Sequence, residues 1–117
     1  AMLTVLPRFT PAVIRHRYHF AEDIDPGKTV KTLVGIASRG SQGIILKAQN
    51  VPPIRAEIAR LAALKIPVAT VFTDCPDSER LAYAGLNNEN AGRTAAYLCS
   101  QRLQGQAGTV LTTASLS

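Results

Sequence analysis

The period of the hydrophobic positions changes along the chain, and the changes predict where strands lie. The segment AVIRHRYHF (residues 12–20) alternates β-branched or aromatic residues with arginine and histidine, which is typical of a strand. Two unbroken apolar runs come later, GIIL at 43–46 and VATVF at 68–72. Short runs of this kind are typical of strands that are covered on both faces.

Helical periods separate these runs. Asp25 and Pro26 provide an N-cap followed by proline at the first helical position, and Gly40 is well placed to end that helix. A second helix is predicted to open at Pro52-Pro53 and to close at Lys65, where a cation suits the helix dipole. The expected apolar faces carry Val30, Leu33, Val34 and Ala37 on the first helix and Ile54, Ile58 and Leu61 on the second, with Arg55, Glu57 and Arg60 largely off the second face.

The last third of the chain continues the alternation. LAYAGL (residues 81–86) predicts a short extended segment, a helix then runs to about Leu103, and Thr109 to Thr112 predicts another strand. Strands that alternate with amphipathic helices at this spacing predict an α/β fold, with a parallel sheet, right-handed crossovers and helices on both faces.

The start of the last helix, NNENAGRTAAYL (residues 87–98), has two interpretations. In one, Asn88 or Asn90 caps a crossover helix whose small residues, such as Gly92, let it lie close on the sheet. In the other, Asn88 contributes to the rim of a ligand cleft, because open α/β sheets bind small molecules where strands end and helices start. The sequence leaves both open.

Composition places the chain among globular domains and excludes several classes of partner. The 117 residues suit one domain, with 46% hydrophobic and 18% charged residues. The net charge of +5 comes from scattered basic residues without zinc-ligand spacing or an RNP-like aromatic run, so nucleic-acid binding by this chain itself is not expected. No apolar run approaches the roughly eighteen residues that span a bilayer, so no membrane partner is expected.

The cysteines and acidic residues do not predict an enzyme. Cys75 and Cys99 form no CxxC and no metal pattern with His16 or His19; they are interpreted as free thiols, which favours the cytoplasm, with a disulfide as the alternative. Cys75 lacks an evident base. A solvated turn is preferred to a metal or acid/base site for the cluster of Asp74, Asp77 and Glu79. No catalytic residue, metal or cofactor is predicted.

Three segments in order, GIIL, LAALKIPVATVFTD and AYAGLNNENAGRTAAYL, carry a family resemblance. They resemble the effector-binding core of LacI/GalR-type transcriptional regulators and of the related type I periplasmic sugar-binding proteins, over residues 12–117. The resemblance implies a periplasmic binding protein-like fold, with residues 1–117 forming part of its amino-terminal lobe. The chain departs from the pattern in having Asn87 where the motif has aspartate. The family's first strand and most of its first helix have no counterpart here, and neither have its second lobe and DNA-binding headpiece.

The predicted ligand-binding residues lie mainly after the two buried strands. In the resembling families these loops face the cleft between the lobes and offer amide, hydroxyl and charged groups to sugar hydroxyls. Phe72 is a candidate to stack on a sugar face, with burial in the core as the alternative, and Asp74 has the alternative of capping the turn at Pro76. The full set is Lys47, Asn50, Phe72, Thr73, Asp74 and Asn88.

The expected function is the binding of a carbohydrate-like effector within a LacI-like regulator. Operator DNA would be contacted only through a headpiece that this chain does not contain, and the alternative is a solute-binding protein of a sugar transporter. A homo-oligomer is expected, because a missing first strand leaves strand edges unpaired; the alternative is that LTVLP (residues 3–7) fills that gap. The isolated chain is expected to bind sugar negligibly, because about half of the cleft is missing from it.

Overall fold

The computed structural model describes residues 14–20 and 25–113. Helices and strands alternate along the described residues, which confirms the α/β class. None of the described helices is both long and apolar enough to cross a bilayer. The elements are α1 (Pro26–Ser38), β1 (Ile44–Leu46), α2 (Pro52–Ala63), β2 (Val68–Val71), β3 (Ala82–Ala84) and α3 (Asn88–Leu103).

The predicted ends of α1 and α2 are confirmed, and hydrogen bonds explain them. Asp25 Oδ1 accepts from the amide of Gly27 at 2.9 Å, and Gly40 follows α1 with a φ of +80°. After α2, Lys65 takes the left-handed conformation with a φ of 62°. The amides of Lys65 and Ile66 bond to the carbonyls of Ala62 and Leu61, a Schellman ending in which lysine occupies the position that glycine usually fills.

The sheet is parallel, as predicted, with strand order β1-β2-β3. Ile44 of β1 lies opposite Val68 of β2, and Thr70 of β2 lies opposite Tyr83 of β3. Helix α2 makes the crossover from β1 to β2. The return from β2 to β3 runs through residues 72–81 without a helix, so side-chain contacts have to hold that return loop in place.

One hydrophobic core joins α1, α2, the first two strands and the return loop. Ile54, Ile58 and Leu61 of α2 are fully buried, as the sequence predicts. On α1 the predicted face is confirmed at Leu33, Val30 and Ala37, whereas Val34 is 44% exposed and Ile36 packs against the core in addition. The buried set is Leu33, Ile44, Ala48, Ile54, Ile58, Leu61, Val68 and Cys75.

The prediction that Glu57 lies off the apolar face of α2 is wrong, since the residue is only 6% exposed. Glu57 is three residues after Ile54 and four before Leu61, which is the spacing of the buried face itself. Arg60 neutralises the buried carboxylate, with its Nε 3.0 Å from Oε2 and its Nη2 2.6 Å from Oε1. The ion pair allows an acidic residue to occupy a core position.

The strand predicted at residues 12–20 is also wrong where the structure describes it. Residues 14–20 are irregular. The rings of Tyr18 and Phe20 stack with centroids 5.4 Å apart, so the alternate residues do share a side. A strand also needs a hydrogen-bonded neighbour, and no described residue pairs with this segment. The possible strand LTVLP lies outside the described residues.

The close packing predicted for α3 is wrong. Every residue of α3 is exposed except the half-buried Leu103, and α3 makes no contact with the other described helices or with the strands. A Cβ placed on Gly92 would meet nothing within 4 Å. Small residues permit close approach but supply little apolar area to drive it. The strand predicted at Thr109 to Thr112 is irregular too, and Val110 and Thr112 instead line a groove beside α3.

A buried isoleucine and an exposed isoleucine provide a matched test of this fold. Ile58→Ala should lower the free energy of unfolding by about 2–5 kcal/mol, because it leaves a cavity in the core. Ile45→Ala, at a position that is 44% exposed, should cost less than about 1.5 kcal/mol. Urea unfolding followed by circular dichroism measures both, and similar losses at the two positions would contradict the fold.

Candidate functional site

Polar side chains gather where β1 and β2 end. Residues 47–50 follow β1 and residues 72–75 follow β2, and because the two strands are parallel both segments lie at the same edge of the sheet. We name these two segments the polar edge. The structure therefore brings together five of the six predicted ligand-binding residues: Lys47, Asn50, Phe72, Thr73 and Asp74.

Direct hydrogen bonds join the two segments of the polar edge. The hydroxyl of Thr73 donates to the carbonyl of Ala48 at 2.5 Å. The thiol of Cys75 lies 3.5 Å from Asn50 Oδ1, which also accepts from Arg55 Nη1 at 2.8 Å. These bonds fix the separation of the two segments, so the edge is preformed.

Asp74 is the most heavily bonded side chain of the polar edge. Its Oδ1 accepts from Thr70 Oγ1 at 3.1 Å and from the amide of Cys75 at 2.7 Å. Arg80 completes a fork, with Nε 2.5 Å from Oδ1 and Nη2 2.9 Å from Oδ2. The hydrogen bonds from Arg80 foremost, and then those from the Cys75 amide and Thr70, hold the pKa of Asp74 below its ordinary value.

These contacts give Asp74 a structural task. Asp74 and Arg80 stand near the two ends of the return loop, so their ion pair closes that loop. The contacts extend well beyond the turn at Pro76 that the sequence suggested. Oδ1 is occupied by three donors, whereas Oδ2 receives one, which leaves Oδ2 as the oxygen with acceptor capacity for a ligand.

Phe72 does not belong to the core, which was the alternative for this residue. The residue is 73% exposed and its φ is 63°, a left-handed backbone conformation that is uncommon for a bulky residue. The ring therefore points away from the end of β2 into solvent, at the polar edge. Its role as a ligand contact stays a prediction.

Lys47 and Asn88 differ in position. Lys47 is exposed directly after β1, at the polar edge. Asn88 opens α3, a helix that makes no contact with the described strands, and its role as a ligand contact stays a prediction. The helix cap is neither Asn88 nor Asn90, because Asn87 Oδ1 accepts from the amide of Asn90 at 3.0 Å.

Sequence reasoning missed two residues that shape this edge, Arg80 and Tyr83. Arg80 binds Asp74, and the Tyr83 hydroxyl lies 3.2 Å from the carbonyl oxygen of Phe72. The spacing of Asp74 and Arg80 across a Pro-containing turn is the signal that could have suggested a loop-closing ion pair. Nothing in the sequence marks the reach of Tyr83.

The described residues offer no metal site at this edge. No group of three or more His, Cys, Asp or Glu in the described part of the chain could hold a metal ion. Both cysteines are free thiols, as predicted, with Cys75 buried and Cys99 exposed.

The Asp74 ion pair makes stability depend on pH. Because the folded pKa of Asp74 is depressed, its contribution is fully present above the ordinary value of 3.8 and is lost as the pH falls through the folded value. Asp74→Asn should lower the free energy of unfolding by about 1–2 kcal/mol at pH 7, and the difference from wild type should shrink in acid.

The matched control is Asp77→Asn, which removes an exposed carboxylate from the same loop. It should change stability by less than about 0.5 kcal/mol. Urea titrations at neutral and acidic pH measure both variants, and a loss for Asp74→Asn that does not change with pH would refute the assignment.

Comparison with known proteins finds solved structures of similar fold. No protein-family model matches the sequence, and no curated protein matches it. Two solved structures titled "XylFII-LytSN complex" and "XylFII molecule" each match with a TM-score of 0.62 and 28% identity over 68% of this chain. GanP, a glucose-galactose binding protein from Geobacillus stearothermophilus, matches with a TM-score of 0.62 and 27% identity over 71% of this chain.

The matched region is a minor part of each of those proteins. The chain spans 29% of the XylFII structures and 30% of GanP. The match to GanP supports the periplasmic binding protein-like fold that the sequence predicts, with its parallel α/β sheet. In fold, the chain is similar to part of a sugar-binding protein.

Proposed function

We propose that the polar edge forms one side of a sugar-binding site. The observation that carries the proposal is the exposed ring of Phe72 at the end of β2, beside polar groups from the end of β1. A sugar presents hydroxyl groups around its rim and apolar C–H groups on its faces, so it needs both kinds of contact at once. The similarity to GanP, a glucose-galactose binding protein, supports the same ligand class.

Five of the six predicted residues have a definite part in this proposal. Phe72 stacks on the apolar face of the sugar. The Lys47 ammonium and the Asn50 amide donate to hydroxyl oxygens, and Asp74 Oδ2 accepts from a hydroxyl. Thr73 already donates to Ala48, so its hydroxyl oxygen serves as an acceptor. Asn88 lies at the start of α3, away from the ends of β1 and β2 in the sequence, and this proposal does not depend on it.

We further propose that the chain belongs to the amino-terminal lobe of a LacI-like regulator in the cytoplasm. The ordered segments GIIL, LAALKIPVATVFTD and AYAGLNNENAGRTAAYL support this assignment, and the free thiols favour a reducing compartment. In such a protein a sugar alters DNA binding only by binding two conformations with different affinities. The competing function, a solute-binding protein of a transporter, is supported equally by the fold.

The sequence that flanks this chain in its gene distinguishes the regulator from the solute-binding protein. A helix-turn-helix upstream, together with operator binding that changes when sugar is added, fits the regulator. A secretory signal peptide fits the transporter protein. Neither outcome alters the proposed ligand class.

Sugar binding is tested on the complete gene product by calorimetry with D-glucose and D-galactose. Phe72→Ala should weaken binding about tenfold, because it removes the stacking surface. The control is Leu81→Ala: Leu81 is also 73% exposed, but it precedes β3 and so lies at the opposite end of the sheet. Equal effects of the two variants, or no binding of either sugar, would contradict the proposal.

We also propose that the chain self-associates through β1. The amide of Ile44 donates to the carbonyl of Pro67, next to β2. Successive residues of a strand direct their backbone groups to opposite sides, so the N–H and C=O of Ile45 point to the outer edge of β1, away from β2. No described residue pairs with that outer edge. Next to it lies an apolar sheet face that is partly or fully exposed at Ile45, Ala69, Val71, Ala82 and Ala84. An open edge beside an apolar face favours pairing with a second strand from another chain.

Light scattering coupled to gel filtration tests this association. The 117-residue chain should form dimers or larger species, and Ile45→Lys should shift it toward monomer because a lysine on an edge strand opposes pairing. Leu64→Lys, at an exposed residue just after α2, should leave the distribution unchanged. A monodisperse wild-type monomer would exclude the association.

A further inference from the structure

The backbone at Phe72 forms a strained turn. Its φ is 63° and the amide of Thr73 donates to the carbonyl of Val71 at 2.7 Å. An i to i+2 hydrogen bond around a residue with positive φ defines the rare, strained form of the γ-turn. Strain of this kind persists only where surrounding contacts hold it. At Phe72 those contacts come from β3 and the residues next to it.

Tyr83 supplies the contact to the carbonyl of the strained residue. Its hydroxyl lies 3.2 Å from the carbonyl oxygen of Phe72 and 2.9 Å from that of Leu86, so one O–H is shared between two acceptors. The amide of Phe72 donates in turn to the carbonyl of Ala84 at 3.2 Å. Both backbone polar groups of Phe72 are therefore bonded to β3 and the residues next to it.

Gly85 makes room for the Tyr83 side chain. Alternate residues of a strand share a face, so the ring of Tyr83 leans over Gly85 on its way to the end of the sheet. A Cβ on Gly85 would overlap the Tyr83 hydroxyl and would lie 2.7 Å from its Cζ. Any side chain at position 85 would displace the hydroxyl from Phe72.

We propose that Tyr83 is a positioning residue of the polar edge: its hydroxyl, given room by Gly85, holds the strained turn at Phe72 and so fixes the direction of the Phe72 ring. The part of this inference that concerns ligand affinity rests on the proposed sugar-binding function. The part that concerns the turn does not depend on any ligand. Two kinds of experiment separate these parts.

Backbone strain is tested by comparing glycine with alanine at one position. At an ordinary position alanine is more stable than glycine, because glycine gains more freedom on unfolding. At Phe72 the order should reverse, so Phe72→Gly should have a higher midpoint of thermal unfolding than Phe72→Ala. Leu81 is equally exposed and is not among the described residues with positive φ. At this position Leu81→Ala should therefore be more stable than Leu81→Gly. The ordinary order at position 72 would overturn the strained turn.

The role of the Tyr83 hydroxyl is tested with a fluorescent reporter. The chain contains no tryptophan, so Phe72→Trp introduces a single probe at the turn. Adding Tyr83→Phe to this variant should lower the fluorescence anisotropy of the indole, because the side chain gains freedom. Adding Tyr97→Phe, at an exposed tyrosine on α3, should leave the anisotropy unchanged, and Gly85→Ala should reproduce the effect of Tyr83→Phe. Unchanged anisotropy in Tyr83→Phe would overturn the proposal.

The consequence for binding is measured with D-glucose and D-galactose on the complete gene product. Tyr83→Phe should raise the Kd about three- to tenfold, since a misplaced ring loses part of its stacking contact, whereas Tyr97→Phe should not change it. If wild type binds and Tyr83→Phe binds equally well, the positioning of the ligand contact is refuted. If wild type binds neither sugar, the proposed function fails, while the stability and anisotropy results still decide whether Tyr83 holds the turn.

Discussion

The parallel pairing of β1 with β2 is the constraint on which the candidate site depends. Ile44 opposite Val68 sets the register, and the buried face of α2 stabilises it by covering the same core. Parallel strands end at one edge, so the segments after them are brought together whatever their sequences are. The sequences then decide the chemistry, which here is a lysine, an amide, a hydroxyl, a carboxylate and an exposed aromatic ring.

The return loop from β2 to β3 has to travel back along the sheet without a helix to carry it. Asp74 and Arg80 close this loop at its two ends, and Tyr83 holds its first residue. The carboxylate of Asp74 stabilises the loop through both oxygens, and Oδ2, which receives one donor, keeps acceptor capacity for the proposed ligand. A substitution at Asp74 consequently lowers stability as well as removing a proposed ligand contact, whereas the exposed ring of Phe72 can be removed with little effect on the core.

Structural features that neighbouring residues determine could be predicted from the sequence, and features that depend on a distant partner could not. The cap at Asp25, the end of α1 before Gly40 and the strands at 44–46 and 68–71 follow from neighbouring residues, and each is confirmed. The expectation that both faces of these strands are covered is wrong, since Ile45 is 44% exposed. The segment at 14–20 has the alternation of a strand, yet a strand also requires a pairing partner, and hydrophobic period carries no information about one. The small residues of α3 likewise permit packing without identifying a surface to pack on.

The candidate site divides in the same way. Its location follows from two apolar runs, so Lys47, Asn50, Thr73 and Asp74 could be predicted as neighbours. The place of Asn88 could not be predicted in the same way, because it depends on where α3 lies. The exposure of Phe72 results from a single backbone angle, and the reach of Tyr83 results from the absence of a side chain at Gly85; neither leaves a pattern in the sequence.

The measurement that tests the central claim most directly is an amide NMR titration of the complete gene product with D-galactose. If the polar edge binds sugar, the largest shift changes among residues 1–117 should fall at 47–50 and 72–75, with little change along α3. Saturable shifts that concentrate on α3, or no shift change in either segment of the polar edge at saturating sugar, would contradict the claim.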